Sequence, residues 1–288
     1  MQGFALNDIF KIGIGPSSSH TMGPMHAAQH FLSGLDVCHA TEPYRIEVTL
    51  HGSLAATGEG HGTPGAITAG LMGHHYDTVT LVDIELAWEI AMNTGRLQSL
   101  AGHSIQFKPT DALHRDTQPL PNHPNGMTFK AWRSNEFIAE AQYFSVGGGM
   151  VEDQEGRALA TGDLVDDETP FPYASMDQLV AWCDSEDLSI AQLQAKNEHL
   201  CLRSESRDAH AITLWKVMSE CIDRGLSTEG ELPGGLRVKR RAAALWRRLL
   251  SNSQGDKTPA NQAQRAMVYA MAVNEENAAG GRLVTAPT

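Results

Sequence analysis

At 288 residues the chain has room for about two domains of roughly 150 residues each, and it can bury a core without disulfide or metal staples. Hydrophobic residues at 41% and charged residues at 19% exclude a disordered protein, and the lack of any apolar run of about 18 residues excludes a transmembrane helix. A net charge of −12 argues against nucleic acid or an anionic membrane as partner, although one locally positive site could still hold a small anion. The opening MQGFALNDIFKIG is too short and broken for a signal-peptide core, so a cytoplasmic protein is expected. Cys38, Cys183, Cys201 and Cys221 lie far apart with no C-x-x-C pair, and reduced thiols are the expectation.

In chain order, residues 22–33 read as a helix. Tyr44 to Leu50 alternates Ile46, Val48 and Leu50 with Arg45, Glu47 and Thr49, as a half-buried strand does. Residues 64–72 read as a second helix. Asp77 to Val82, His103 to Phe107 and Met127 to Trp132 are strand candidates, and Phe137 to Tyr143 alternates again after a turn at Arg133-Ser134-Asn135. Together these predict an α+β domain with a mostly antiparallel sheet over residues 1–155. The acidic, Gly- and Pro-containing stretch around 156–175 reads as a linker to an all-helical region over 176–288.

In that second region, Ser175–Cys183 and Ser189–Leu200 predict short helices. In Ala209–Arg224, Ile212, Trp215, Met218 and Ile222 share a face, with Gly225 as the stop. Val238, Ala242, Leu245, Trp246 and Leu249 form a further stripe, and Lys239-Arg240-Arg241 reads as a solvated charge run. Thr258 as N-cap and Pro259 behind it open a last helix, whose Met267 and Met271 read as core filler. The ending, Gly280-Gly281 then Arg-Leu-Val-Thr-Ala-Pro-Thr288, looks like the middle of a domain, which by itself is only a first sign of a fragment.

Three segments are suited to chemistry. Gly15-Pro-Ser-Ser-Ser-His-Thr21 places Ser17, Ser18, Ser19, His20 and Thr21 before a helix, whose N-terminus favours an anion such as a carboxylate. His51-Gly-Ser53 through His61-Gly-Thr63 follows a strand and ends on Thr63-Pro64, read as an N-cap pair; its two imidazoles suit acid, base or orienting work. Ser145-Val-Gly147-Gly148-Gly149 ends a strand with backbone N–H groups that could form an anion nest. His123-Pro-Asn-Gly reads as an ordinary turn. His26 and His30 stand four apart on one helix, but Ala27 replaces the Glu of a zinc-protease helix, and neither a G-x-S-x-G elbow nor a Walker loop is present.

GPSSSHTMGPMHA (15–27), HGSLAATGEGHGT (51–63), HPNGM (123–127), YFSVGGGMV (143–151), CIDRGLSTEGELPGGLRVKRRA (221–242) and AVNEENAAGGRLVTAPT (272–288) together resemble the iron–sulfur-dependent bacterial L-serine dehydratases, or L-serine ammonia-lyases. The resemblance runs from about residue 8 to the last residue, with the blocks in order. It implies a β domain of α+β type, then an α domain, and conversion of L-serine to pyruvate and ammonia in serine catabolism and gluconeogenesis, without pyridoxal phosphate. It implies a [4Fe–4S] cluster with one open iron acting as Lewis acid on the serine hydroxyl. It also makes His20, His51 and His61 the catalytic candidates. Ser17, Ser18, Ser19, Thr21, Ser53, Thr63, Ser145, Gly147 and Gly148 become the candidate contacts to serine. A homodimer is left open.

Two departures stand out. The family pattern usually carries Asp after HGT, where this chain has Pro64. The family's cluster cysteines lie past the TAPT segment, beyond Thr288, and the four cysteines here match none of them. The expectation is a chain truncated within its α domain, with no cluster ligands or bound cluster of its own and no activity alone. The competing expectation is a non-catalytic amino-acid-binding or regulatory module.

Overall fold

The computed structural model describes residues 6–35, 42–159, 170–201, 207–234, 236–252 and 258–285; Cys38 and residues 160–169 of the expected linker lie outside them. A sheet-containing N-terminal region is followed by a helical C-terminal one, in the order the patterning predicts. The first region runs α1 (Leu6–Ile9), β1 (Lys11–Ile14), a π-helical turn Ser18–Met22 that continues into α2 (Gly23–Ser33), β2 (Tyr44–His51), α3 (Gly52–Thr57), a 3-10 turn Glu59–His61, α4 (Thr63–Leu71) and α5 (Leu81–Thr94). It then continues through β3 (Arg96–Gln98), β4 (Ser104–Gln106), α6 (Pro109–Ala112), β5 (Leu113–Asp116), β6 (Gly126–Arg133), β7 (Glu136–Gly147) and β8 (Met150–Asp153). The second region holds α7 (Met176–Glu186), α8 (Ile190–Cys201), α9 (Arg207–Ser227), α10 (Ala242–Asn252), α11 (Pro259–Ala278) and β9 (Arg282–Thr285).

The main sheet has the order β3-β4-β2-β6-β7-β8. β2 lies antiparallel to β6, from Tyr44 opposite Arg133 to Leu50 opposite Met127. Its other edge is shared in succession by β4, parallel at Tyr44–Arg45, and β5, parallel at Val48–His51. Ile46, Val48 and Leu50 alternate into the core and meet Phe129 and Phe31, which are themselves fully or nearly fully buried. The sheet's inner face is covered by α2 through Ala27, Ala28, Phe31 and Leu32. The backbone of α2 approaches α4 so closely that a Cβ on Gly70 would fall 2.4 Å from the Met25 carbonyl oxygen, so only glycine fits there.

The segment Asp77 to Val82 is a correction. It is a turn entering α5, not a strand, because Thr80 accepts from the Asp83 backbone N–H and the Asp83 carboxylate accepts from the Thr80 N–H in return. That reciprocal cap satisfies two donors at once and fixes a helix start, and Gly95, in the left-handed region, ends the helix.

Four further corrections fall in the helical region. Gly225 lies inside α9, where a Cβ would fall 2.5 Å from the Ala272 carbonyl oxygen of α11; it permits a close crossing and does not stop the helix. Val238 precedes α10, in a short bridge that pairs Glu231 with Lys239. Arg240 is not solvated: its side chain is 7% exposed and reaches the buried Glu276 carboxylate at 2.8 Å. Met267 is 68% exposed, so it fills no core among the described residues.

The two regions are joined where the chain's ends meet. β9 pairs antiparallel with β1, Lys11 opposite Thr285 and Ile14 opposite Arg282. Asn277 donates its side-chain N–H to the Pro16 carbonyl at 3.0 Å, and Gly15 packs so tightly on Asn277 that a Cβ would fall 2.0 Å from its carbonyl oxygen. The serine-rich loop is therefore braced from the helical side. No helix among the described residues is long and apolar enough to cross a membrane.

Candidate active site

The serine-rich segment coils into the π-helical turn, with Ser17 as its N-cap: the Ser17 hydroxyl accepts from the His20 backbone N–H at 3.1 Å. The turn brings the His20 ring inward, where it is 9% exposed. Its Nδ1 lies 2.9 Å from the Ser19 hydroxyl, and its Nε2 lies 3.2 Å from the Ser53 hydroxyl and 3.0 Å from that of Thr57. The His61 ring stacks at a tilt on His20, centroids 4.8 Å apart. Two chain segments more than thirty residues apart in sequence thus place two imidazoles in contact. Burial first, and the neighbouring His61 second, hold His20 below the usual imidazole range, which favours its neutral form.

Thr21 and Thr63 have other duties. The Thr21 hydroxyl donates to the His61 carbonyl at 2.8 Å, and the Thr63 hydroxyl donates to the His20 carbonyl at 2.5 Å. These two bonds tie the histidine-bearing turns to each other, so both hydroxyls spend their single proton on the scaffold. Thr63 is also not the cap of α4: Gly62, in the left-handed region, holds that place without a side-chain bond, and Thr63-Pro64 forms the first turn.

His51 stands apart. Its Nε2 lies 3.0 Å from the Thr128 hydroxyl, its Nδ1 faces Asp116 at 3.7 Å, and its ring makes no hydrogen bond or ring contact with His20 or His61. Burial lowers its pKa and Asp116 opposes that. Through these contacts the ring joins β2 to β6 and β5.

Ser145 and the glycines reach the site from β7. Ser145 is fully buried, and its hydroxyl takes no hydrogen bond among the described residues. It presses on the start of α2, where a Cβ on Gly23 would fall 2.1 Å away. Gly148 and Gly149 both have positive φ, 59° and 78°, and form the two-residue turn between β7 and β8, where Gly147 pairs with Met150. The first demand on these glycines is that tight hairpin, and its Gly149 lies against the π-helical turn. A Cβ on Gly149 would lie 2.9 Å from Met22 Cε.

Sequence reasoning missed three contributors. Thr57, on the last residue of α3, contacts both histidines. Asn125 of the His-Pro-Asn-Gly turn donates its side-chain N–H to the Ser145 carbonyl, while the Ser145 backbone N–H donates to the Asn125 carbonyl, each at 3.1 Å. The Ser53 backbone N–H donates to Pro124 at 2.9 Å, so that turn positions two site serines at once. Lys11, on β1, is 7% exposed, with Cδ 3.8 Å from the position of a Cβ on Gly149. The contacts of Thr57 with His20, of Asn125 with Ser145 and of Lys11 with the Gly149 turn join residues distant in sequence, which no local pattern reports.

This architecture has known counterparts. Residues 5–156 match the serine dehydratase beta chain family and residues 185–288 the serine dehydratase alpha chain family. The chain belongs to the bacterial L-serine dehydratase family. L-serine dehydratase TdcG of Escherichia coli is 43% identical over 284 residues, covering 98% of this chain and 62% of that protein. The L-serine dehydratase of Streptomyces coelicolor is 43% identical over 289 residues, with 98% and 62% covered. That of Helicobacter pylori is 35% identical over 290 residues, with 100% and 63% covered. The chain thus spans a little over three-fifths of the length of these relatives.

Among the described residues the donors present do not fit the iron–sulfur cluster that the resemblance implies. Among the described residues no three of His, Cys, Asp and Glu converge as metal ligands. Cys183 is partly exposed on α7. Cys221 is buried on α9, where burial first and Glu276 also raise its thiol pKa, which disfavours the thiolate a cluster needs.

Proposed function

We propose that this chain is the part of an L-serine ammonia-lyase that seats L-serine and handles its protons, in the conversion of L-serine to pyruvate and ammonia. The observation that carries the reading is the contact between His20 and His61 at 4.8 Å, set between two helix starts and the Ser145–Gly148 strand end. The Ser18 hydroxyl and the amides of the Gly147–Gly148 turn are the proposed seat for the substrate carboxylate, while Ser17 and Ser19 offer lone pairs to its ammonium. His61 is the proposed base. Its Nδ1 donates to the Thr57 carbonyl at 2.9 Å, because a carbonyl can only accept, and this leaves the lone pair on Nε2 to take the α-proton. His20, held neutral beside it, orients the amino acid and shields His61 from water. Loss of the β-hydroxyl gives aminoacrylate, which tautomerises to an imine and takes up water to release ammonia and pyruvate.

A [4Fe–4S] cluster stays within the proposal as a group held outside the described residues. Cytoplasmic serine catabolism feeding gluconeogenesis is proposed as the setting, on the strength of the family.

The test is His61→Ala in a protein of the relatives' full length that carries this sequence. Pyruvate formation should fall by roughly 10²- to 10⁴-fold, with the far-ultraviolet circular dichroism unchanged, since a half-exposed loop imidazole contributes little to the core. Pyruvate formation at the parent rate would remove His61 from the chemistry. Serine binding by calorimetry with no pyruvate from the parent protein would instead favour the non-catalytic amino-acid-binding module.

A further inference from the structure

We propose that Thr57 is a positioning residue that fixes complementary tautomers on the two stacked histidines, with the lone pair of His20 on Nδ1 and that of His61 on Nε2. The proposal rests on the reading of His20 and His61 as the site's working pair, but its test stands apart from that reading.

The bonds settle which way each proton points. The Thr57 hydroxyl lies 2.9 Å from the Ser53 carbonyl one turn back in α3 and donates to it, since a carbonyl cannot donate. Its only proton is then committed. The same oxygen lies 3.0 Å from His20 Nε2, nearer than the Ser53 hydroxyl at 3.2 Å, so that nitrogen carries the N–H and points it at Thr57; a lone pair there would face the lone pairs of Thr57. His20 Nδ1 is left as acceptor, and the Ser19 hydroxyl at 2.9 Å donates to it. The Ser17 hydroxyl, 3.4 Å from that of Ser19, can extend the same direction. A polarised chain results, running from Ser17 through Ser19, His20 and Thr57 to the Ser53 carbonyl. Each donor strengthens the next.

The backbone carbonyl of Thr57 meanwhile accepts from His61 Nδ1, and this turns the His61 lone pair to Nε2. One residue therefore reads both rings, through its side chain on His20 and its main chain on His61. The consequence for serine chemistry is a division of labour. The Ser19 hydroxyl gives its proton to His20 and offers only lone pairs to a substrate ammonium, while His61 Nε2 stays available as base. Valine in place of Thr57 keeps the shape but removes the nearer acceptor for His20 Nε2–H and the bond to the Ser53 carbonyl, leaving Nε2 only the Ser53 hydroxyl, which can donate as well as accept; serine keeps both.

The test uses the chain with nitrogen-labelled histidine, and long-range proton–nitrogen spectra that distinguish protonated from unprotonated ring nitrogens. In the parent, His20 should show N–H at Nε2 and His61 N–H at Nδ1. Thr57→Val should turn His20 into a mixture of tautomers and leave His61 unchanged, and Thr57→Ser should restore the parent pattern. The same variants, in a protein that forms pyruvate, should lower kcat by about tenfold for valine with KM little changed, and serine should recover it. His20 protonated at Nδ1 in the parent, or a His20 signal indifferent to Thr57→Val in a folded variant, would overturn the proposal. A parent tautomer pattern as stated, with no response of either ring to added L-serine, would leave Thr57 in its role and instead sink the function proposed for the pair.

Discussion

The sheet region and the helical region hold themselves together by different means. In the first, Ile46, Val48, Ile67, Phe107 and Phe129 are fully buried, and the apolar faces of α2, α4 and the sheet close on each other. In the second, Ile212 and Trp215 are each 66% exposed, and the fixed points are polar: Glu275 accepts from the backbone N–H groups of Arg241 and Ala242 at the start of α10, and Glu276 pairs with Arg224 and Arg240. The helical region is thus pinned by buried carboxylates where the sheet region is filled by apolar side chains. Both carboxylates lie in the Asn-Glu-Glu-Asn run of α11, whose Asn277 braces the Pro16 loop. That run transmits the arrangement of the helices to the serine-rich turn.

The sharpest way to break the comparison is Phe129→Ala. The ring is fully buried against Phe31 and Tyr143, at 5.3 and 5.7 Å between centroids. Removing it costs about 3–5 kcal/mol from lost transfer energy and the cavity left behind. Urea unfolding should lose that much in the sheet region, and a loss below about 1 kcal/mol would show that the core is not the continuous packing described.

Glu276→Gln probes the other side. Glu276 is 5% exposed and its carboxylate binds Arg240 at 2.8 Å and Arg224 at 3.0 Å. The amide keeps the shape but leaves Arg240 buried without a counter-charge, at a cost of about 3 kcal/mol. The loss should appear first in the helical signal and in the fluorescence of Trp246 beside α11. A variant that unfolds only together with the sheet region would show that the two regions are one cooperative unit.

The comparison also marks what a sequence can tell. Alternation read Ile46, Val48 and Leu50 onto a buried face, because one strand carries that pattern within itself. The segment before α5 misled, because Thr80–Asp83 caps with the shorter acid where Glu or Gln is the usual signature. Gly225 misled because a helix stop and a close helix crossing both require the smallest residue, and only the partner, Ala272, separates the two. At the site, the polar richness of residues 17–21 and 51–63 was legible, while its wiring was not. His51 and His61 look equivalent in sequence, and only the contacts of His51 with Thr128 and Asp116, and of His61 with His20, tell them apart.

The gentlest test is pH, and it reports mostly on the sheet region. His20, His30 and His51 all sit below the ordinary value of 6.5, burial being the first cause in each; His61 adds to it for His20, while Asp153 opposes it for His30 and Asp116 for His51. When the folded pKa lies below the unfolded one, the unfolded chain binds more protons between the two values, so stability falls as pH drops through that window. Above 6.5 these groups are neutral in both states and contribute no slope. The carboxylates of Asp77, Asp83 and Asp153 are lowered from 3.8, so the stability they confer is lost only as pH falls below that value. A melting temperature that begins to fall just below 6.5, well before the carboxylate window, is therefore the histidine signature. His30→Gln keeps a partner for the Tyr143 hydroxyl at 3.1 Å and removes one of the three titrating rings, so its melting temperature should fall less steeply over the same interval. A parent curve flat from 6.5 down to 3.8 would mean the three rings are freely hydrated, and would undo the neutral His20 that the proposed function sets beside the base His61.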